Sequence, residues 1–480
     1  MSKRSWFILA LILAAVGGFY LATLRSGHPW GDDFSMYIAH ARNIVQGVDY
    51  QATGYVYDRM VAVIGPRYYP PVYPLTLAPV VALFGLNLTA MKVEIIAFFL
   101  LFLFVLAFSF RRELSWIYLA SAVTVLGFNP SLWDFKDDPT SDILFLLILY
   151  LCFFTIQRVY TPGREKPPGL SYGLLTGVLI ACADSTRSVG ILILPALVIL
   201  DIVRTRRLRL FPWAASAVAG LGYLVQSLAI RGPSGYEDQA VFYPRVFPIN
   251  LHAYFDALGS LWSNGYFPAV QMAVYLSLFG LALYGAITRL KRGITIYELF
   301  SVFYIILIII WRANQGVRFL LPLIPLFVID LFAGLQQIGR SAWPRAQAIQ
   351  RAASVTVLAI LALSYVGVYS KTSFGPFDSG VERPASVELF DFIQHNTQKG
   401  DVMIFSRPRA LALYTGRKAA GYSALENEQF TINYSKGLGA SYFIVGPGDN
   451  YLRLLVKRYP GDFAPIYKNA DFSLYRFSTP

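Results

Sequence analysis

Residues 6–34 read WFILALILAAVGGFYLATLRSGHPWGDDF, and this stretch decides the architecture. Its first part, Trp6 to Leu24, is an apolar run of about 19 residues behind Lys3 and Arg4. That is long enough to cross a bilayer as a helix. A cleaved signal peptide has a shorter apolar core and a small-residue cleavage site. Leu24-Arg25-Ser26 is a poor site, so the run reads as a retained first membrane helix. The stretch ends on two adjacent carboxylates, Asp32 and Asp33, just past the apolar run.

The rest of the chain extends the pattern. Of its 480 residues, 56% are hydrophobic and 14% charged, where a soluble domain carries about a quarter charged. Such a chain cannot cover a soluble surface. Further spanning runs lie at about 90–110, 114–131, 141–159, 170–186, 188–203, 213–230, 267–287, 296–311, 319–338 and 352–370. The reading is an α-helical polytopic membrane protein with about eleven transmembrane helices. Residues 170–203 are read as two spans meeting at a polar bend that holds Asp184, Arg187 and Gly190.

The net charge of +13 is not a nucleic-acid signal. The basic residues sit in clusters between apolar runs, as the positive-inside rule expects. With the N-terminus cytoplasmic, every inside loop is basic: Lys3/Arg4, Arg111/Arg112, Arg158/Arg164/Lys166, Arg204 to Arg209, Arg289/Lys291/Arg292 and Arg340/Arg345/Arg351. Glu165 is one of the few acids there. An odd span count then puts the C-terminal tail outside the cytosol. Cys152 and Cys182 both lie in apolar runs, so they are read as small core residues. The four histidines have no zinc spacing.

Two segments stand outside the spans. The first outer loop, about 25–89, is too long for a bare connection. It carries a helix from Asp32 or Asp33 to about Gly47, read as lying along the membrane surface, and an apolar segment from Val72 to Phe84. The tail, 371–480, alternates helices and strands and so reads as a small extracytoplasmic α/β domain. Helices are expected at Ser386–Asn396, Arg409–Thr415 and about 450–457, and strands at Val402–Ser406 and Tyr442–Val445. Phe463–Tyr467 and Phe472–Phe477 form a hairpin around Asn469-Ala470-Asp471.

Ionisable groups at membrane span ends are costly and have a role or a partner. Here they gather on the outer side: Asp32 and Asp33, Asp137, Asp138 and Asp142, Asp184 and Arg187, Arg312 and Arg318, with Arg67 in the first loop. Carboxylates and arginines on one surface suit an anionic, membrane-held substrate. No nucleotide sugar is expected there, so a transferase would draw its sugar from a polyprenyl phosphate. It needs one carboxylate to take the acceptor's proton and cations for the departing phosphate, for which arginine's forked donors are suited. A single displacement inverts the anomeric centre. Plainer roles compete. Asp32 or Asp33 could cap the surface helix, and Asp138 before Pro139 is a natural cap. Arg187 could pair with Asp184, Arg318 could snorkel, and Tyr69 and Tyr73 fit an aromatic belt.

The order of these motifs resembles the GT-C superfamily of membrane glycosyltransferases. The resembling members are bacterial relatives of protein O-mannosyltransferases and of the lipid A aminoarabinose transferase. The resemblance is carried by Gly31-Asp32-Asp33-Phe34 with Tyr37, Tyr69-Pro70-Pro71-Val72-Tyr73-Pro74-Leu75, and Ser141-Asp142. It continues in Arg318-Phe319-Leu320-Leu321-Pro322 and the tail stretch Arg409 to Arg417. It covers nearly the whole chain. It implies a GT-C helix bundle over 1–370 with an outward α/β tail over 371–480, and a catalytic aspartate at Asp33 or Asp32. It also implies a second acidic position at Asp142 and a basic position near the donor phosphate at Arg318. Tyr69-Pro70 stands where some relatives have Glu-Lys, which makes Arg67 a candidate substitute. Some GT-C members use a divalent cation and others do not, so that question stays open.

The resulting expectation is an inverting transferase in the bacterial cytoplasmic membrane. It moves a sugar from a polyprenyl-phosphate donor to an extracytoplasmic lipid, glycan or protein. Asp33, Asp32 and Asp142 are the catalytic candidates. Arg67, Tyr69, Tyr73, Asp138, Arg187 and Arg318 are the substrate-binding candidates. The rivals are a lipid-carrier flippase, whose inverted repeats the sequence lacks, and a non-catalytic accessory subunit, which has no need of paired acids.

Overall fold

The computed structural model describes residues 2–160, 170–238, 244–262, 268–340 and 345–478. The basic loop residues Arg164, Glu165 and Lys166 lie outside them. The chain begins with α1 (Lys3–Ala22), followed by α2 (Asp33–Gln46), α3 (Val72–Phe84), α4 (Leu88–Phe110), α5 (Trp116–Gly127) and α6 (Pro130–Asp134). Next come α7 (Asp142–Val159), α8 (Leu170–Asp184), α9 (Ile193–Thr205), α10 (Leu210–Ala229) and α11 (Val246–Ser260). The bundle closes with α12 (Pro268–Leu290), α13 (Ile296–Ile310), α14 (Val317–Leu320), α15 (Ile324–Ile338) and α16 (Ala346–Tyr369).

All eleven apolar runs of the sequence fall on helices. Among the described residues, six stretches are long and apolar enough to cross a membrane: α1, α4, α7, Ser188–Thr205, Val270–Leu290 and α16. Helices α3, α5, α8, α13 and α15 are apolar but shorter. The chain is a multi-pass membrane protein. The expected break near Arg187 is present as a 3-10 turn, Ser188–Leu192, between α8 and α9. Gly190 makes it possible, because a Cβ there would lie 2.5 Å from the Ala183 carbonyl carbon.

Lipid offers helices no hydrophobic drive to associate, so close backbone approach between small residues takes its place. Helices α12 and α15 show this. A Cβ on Gly285 would sit 1.8 Å from the Asp330 oxygen, and one on Gly334 would sit 2.2 Å from the Leu281 oxygen. Gly334→Val therefore cannot be accommodated without separating the two helices. We expect it to cost about 3 kcal/mol or more, read as a lower thermal midpoint and poorer yield of monodisperse protein in detergent. An unchanged midpoint would contradict this packing.

The tail comprises α17 (Pro384–Asn396), β1 (Val402–Ile404), α18 (Pro408–Thr415), β2 (Lys418–Ala420), α19 (Glu428–Gly437), β3 (Ala440–Val445), α20 (Asn450–Arg458), β4 (Phe463–Lys468) and β5 (Ser473–Phe477). Its five-stranded sheet has the order β2-β1-β3-β5-β4. The first three are parallel, and β5 is antiparallel to both β3 and β4. The expected β4–β5 hairpin is present. Asn469 makes its turn by accepting from the Phe472 amide at 2.8 Å. Strand β2 and helix α19 had no sequence signal. One is three residues of Lys-Ala-Ala, and the other is a polar decapeptide.

The tail is not a free appendage. The first loop lengthens its sheet: Tyr55 bridges Ala419, the Val56 amide donates to Ala419 O at 2.8 Å, and the Ala419 amide donates to Gly54 O at 3.0 Å. The linker returns to the end of α1, where the Val381 amide meets His28 O at 3.1 Å. The first loop and the tail thus share one end of the bundle. Helix α2 ends as expected, on Gly47 at φ +65°. It does not rest with one face on a surface, however. Phe34 through Ala41 are all buried, because α2 packs against both α3 and α18.

Candidate active site

The junction of α2, α7, the α8–α9 turn and α14 brings together charges far apart in sequence. Asp33 opens α2, Asp142 opens α7, Arg187 precedes the 3-10 turn and Arg318 lies in α14. Arg318 joins two carboxylates. Its Nη1 lies 2.6 Å from Asp33 Oδ2, and its Nε and Nη2 lie 3.0 and 2.9 Å from Asp142 Oδ2. Arg187 holds the other Asp142 oxygen, and the Thr140 hydroxyl donates to Oδ2 at 2.9 Å. Asp142 is sealed, its side chain 3% exposed. Asp33 and Arg318 stay partly open, at 30% and 21%. A buried carboxylate between two cations fixes both guanidiniums, and Arg187, like Arg318, stays partly open, at 20%.

A second layer comes from the tail. Arg409, in α18, is almost completely buried, and its Nη1 lies 3.4 Å from Asp33 Oδ1 and donates to the Tyr69 hydroxyl at 2.9 Å. Its Nη2 donates to Pro66 O at 2.9 Å. The Tyr69 hydroxyl in turn donates to Asp33 Oδ1 at 2.6 Å. Tyr69 is held from behind by stacking on Tyr37 and by its amide, which donates to His40 Nε2 at 3.3 Å. Burial pushes the His40 pKa down to about 3, so its neutral ring donates from Nδ1 to Tyr50 O at 2.8 Å.

The acidic pair divides. Asp32 occupies the N-cap position of α2 but does not cap it. Its Oδ1 instead accepts from the Arg409 and Ala410 amides at 3.0 and 3.2 Å. It therefore caps the N-terminus of α18, using donors that helix leaves unpaired. Burial pushes the Asp32 carboxyl up to about 6, against the pull of Arg409. Burial also raises Asp33, but Arg318 and Arg409 outweigh it and hold that carboxyl below the usual range. Asp33 is the ionised, partly open member, and Asp32 is the latch between α2 and the tail.

Several sequence candidates lie elsewhere. Arg67 is not in the network: its guanidinium lies over the Tyr57 ring and its amide donates to Ser234 O. Asp138 meets His28 Nε2 at 3.1 Å and caps nothing, since α7 starts later. Tyr73 is fully buried and packs edge-on against Tyr37, with no hydrogen bond to its hydroxyl among the described residues. Asp137 belongs to a separate buried knot with Arg25, Lys92 and Lys136. Arg187 pairs with Asp142 rather than Asp184, and Arg318 is bridged rather than snorkelled. Tyr236 also reaches the site, its ring 6.4 Å from that of Tyr69.

No protein-family model and no curated protein matches the chain in sequence. Solved structures do match in three dimensions. The transferase ArnT from Cupriavidus metallidurans, bound to undecaprenyl phosphate, aligns over 99% of this chain and 98% of its own, with TM-score 0.59 and 14% identity. The archaeal oligosaccharyltransferase AglB from Archaeoglobus fulgidus, with an inhibitory peptide and a dolichol-phosphate, aligns over 93% of this chain and 70% of its own, with TM-score 0.62 and 12% identity. The arabinofuranosyltransferase AftD from Mycobacteria aligns over all of this chain and 42% of its own, with TM-score 0.56 and 12% identity. The chain has the GT-C fold.

On this GT-C bundle the carboxylates do not fit a metal site. Among the described residues, no group of three or more His, Cys, Asp or Glu side chains could hold an ion. Asp32, Asp33 and Asp142 are instead turned toward arginines and backbone amides. Gly65 is the least obvious part of the site. It sits at φ +137°, and a Cβ there would fall 2.0 Å from Arg409 Nη2. We expect Gly65→Ala to expel the Arg409 guanidinium and free Asp33 from one of its two cations. The readout is protease sensitivity of the tail. A variant as resistant as the wild type would show that Arg409 can be spared.

Proposed function

We propose that the chain is an inverting glycosyltransferase that moves a sugar from a polyprenyl-phosphate donor to an acceptor outside a bacterial cytoplasmic membrane. One observation carries this reading: a partly open arginine, Arg318, is shared between a sealed carboxylate, Asp142, and an open one, Asp33. The GT-C fold adds to it, since ArnT was solved with undecaprenyl phosphate and AglB with a dolichol-phosphate.

The donor phosphate takes the free donors of Arg318 and Arg187. Asp142 keeps both forks aimed and cannot itself follow them. Phosphate on Arg318 competes with Asp33 for Nη1. Asp33 then loses part of the positive field that holds its proton affinity down and becomes a stronger base just as the donor arrives. The acceptor hydroxyl gives its proton to Asp33, and its oxygen bonds to the anomeric carbon. The bond from that carbon to the phosphate oxygen breaks. Its electron pair goes to the phosphate, where the arginines stabilise the charge. One displacement inverts the centre.

In this reading residues 1–370, with the first loop 25–89, carry the reaction. Residues 371–480 form an outer domain that supplies Arg409, and the N-terminus is cytoplasmic. The test uses radiolabelled polyprenyl-phosphate sugars in membranes with and without the protein. Label leaving the lipid for an acceptor, with release of free polyprenyl phosphate, is the expected result. Label that changes leaflet yet stays on the lipid would make the protein a carrier transporter and end the proposal.

A further inference from the structure

At the opposite end of the bundle lies a cavity of about 600 Å³. Helix α7 fixes the separation: Asp142 begins it, while Arg158 at its end lines the cavity, about 25 Å away at 1.5 Å per residue. Among the described residues, six arginines line the cavity, Arg111, Arg112, Arg158, Arg204, Arg289 and Arg292, against one carboxylate, Glu113. They come from the ends of α4, α7, α9 and α12, which are consecutive basic loops of the sequence pattern.

The neighbouring acids are already committed. Glu113, Glu298 and Asp330 all converge on the buried Arg289, at 3.1, 3.4 and 2.7 Å. The 3.4 Å contact is made by Arg289 Nη2 with Glu298 Oε1, so Arg289 is itself committed to these acids. Arg111, Arg112, Arg204 and Arg292 have no carboxylate within ion-pair distance among the described residues, and Arg112 and Arg292 are exposed. The positive-inside rule accounts for arginines on loops at this end. It does not account for their convergence on one concave volume, where like charges repel unless an anion sits among them.

We infer that this cavity is a second binding site, for a phosphate-bearing anion. Forked guanidinium donors match phosphate oxygens. The phosphate could belong to the headgroup of an anionic lipid in the adjoining leaflet, for which basic pockets between helix ends are suited, or to a soluble phosphate compound. Either source leaves the Asp33 site untouched.

The experiment is native mass spectrometry of the full chain in neutral detergent, titrated separately with phosphatidylglycerol, phosphatidylcholine and inorganic pyrophosphate. It compares the wild type with Arg111→Gln/Arg292→Gln. Neither arginine belongs to the transfer site. Wild type is expected to hold phosphatidylglycerol or pyrophosphate above phosphatidylcholine, and the double variant to hold it about tenfold or more weakly. Retention of the lipid alone assigns the headgroup, and retention of pyrophosphate alone assigns the soluble source. Neither anion exceeding phosphatidylcholine, or equal retention by wild type and variant, overturns the site. If the double variant does not stay monodisperse, the exposed Arg112→Gln is read in its place by the same criteria.

Discussion

Asp33→Asn is expected to lower sugar transfer by roughly two to four orders of magnitude, the range lost with a general base, while Asp32→Asn keeps most of it. The two residues are neighbours in sequence but do different work. Asparagine at 33 keeps the shape of the side chain and can still accept from the Tyr69 hydroxyl, now 2.6 Å from Oδ1, but its amide nitrogen then faces Arg318 Nη1 and that ion pair is lost. It cannot take a proton. Asparagine at 32 presents the same Oδ1 to the Arg409 and Ala410 amides, so the α18 cap survives without a carboxylate that burial already pushes to about 6. Asp32→Ala removes the cap and should cost about 1 kcal/mol, seen as a tail more open to protease. The assay is transfer from the labelled polyprenyl-phosphate sugar in membranes, with tail protection as the folding control. Full activity in a folded Asp33→Asn protein would remove the base assignment, and a reversed ranking would give the role to Asp32.

Hydropathy and charge alternation made the bundle legible. The eleven apolar runs all proved helical, and four of the six basic clusters contribute arginines to one cavity. Loop positions set by local chemistry were legible too, such as the Gly47 helix end and the Asn469 turn. The site was legible as a set of residue types but not as a network. Sequence order names Asp33, Asp142, Arg187 and Arg318 as candidates, yet nothing local says that one arginine bridges two carboxylates 109 positions apart in the chain. Asp138 and Arg67 carry equally good local signals, and the fold turns them to His28 and Tyr57.

Arg409 shows where such reading stops. In sequence it is one residue of the tail stretch that resembles the GT-C group, in the apolar helix Pro408–Thr415, and the resemblance gives it no site role. It becomes part of the site because Asp32 docks that helix and because Gly65 leaves room for the guanidinium. Both facts are long-range. The same holds for His40, which is one of four scattered histidines in sequence and a support for Tyr69 in the fold.

Arg318→Lys is expected to fold and yet to lower transfer by roughly a hundredfold or more, the scale of removing one preorganised charged donor. Arginine spans the site because three of its nitrogens act at once, with Nε and Nη2 on Asp142 and Nη1 on Asp33. Lysine brings one ammonium, which can sit against Asp142 or against Asp33 but cannot bridge them in the plane of a fork. The positive charge stays, so the sealed Asp142 is not left with Arg187 alone. Arg318→Met would leave it so, and breaking a buried pair in that way costs about 3–5 kcal/mol; the lysine variant is therefore the cleaner probe. Combining it with Asp33→Asn sharpens the test. If Arg318 both holds the phosphate and tunes Asp33, the two act as one unit, and the double variant should fall little below the worse single. Losses that multiply would mean that the two residues serve separate steps. A folded Arg318→Lys protein with full transfer would remove the phosphate contact on which the mechanism depends.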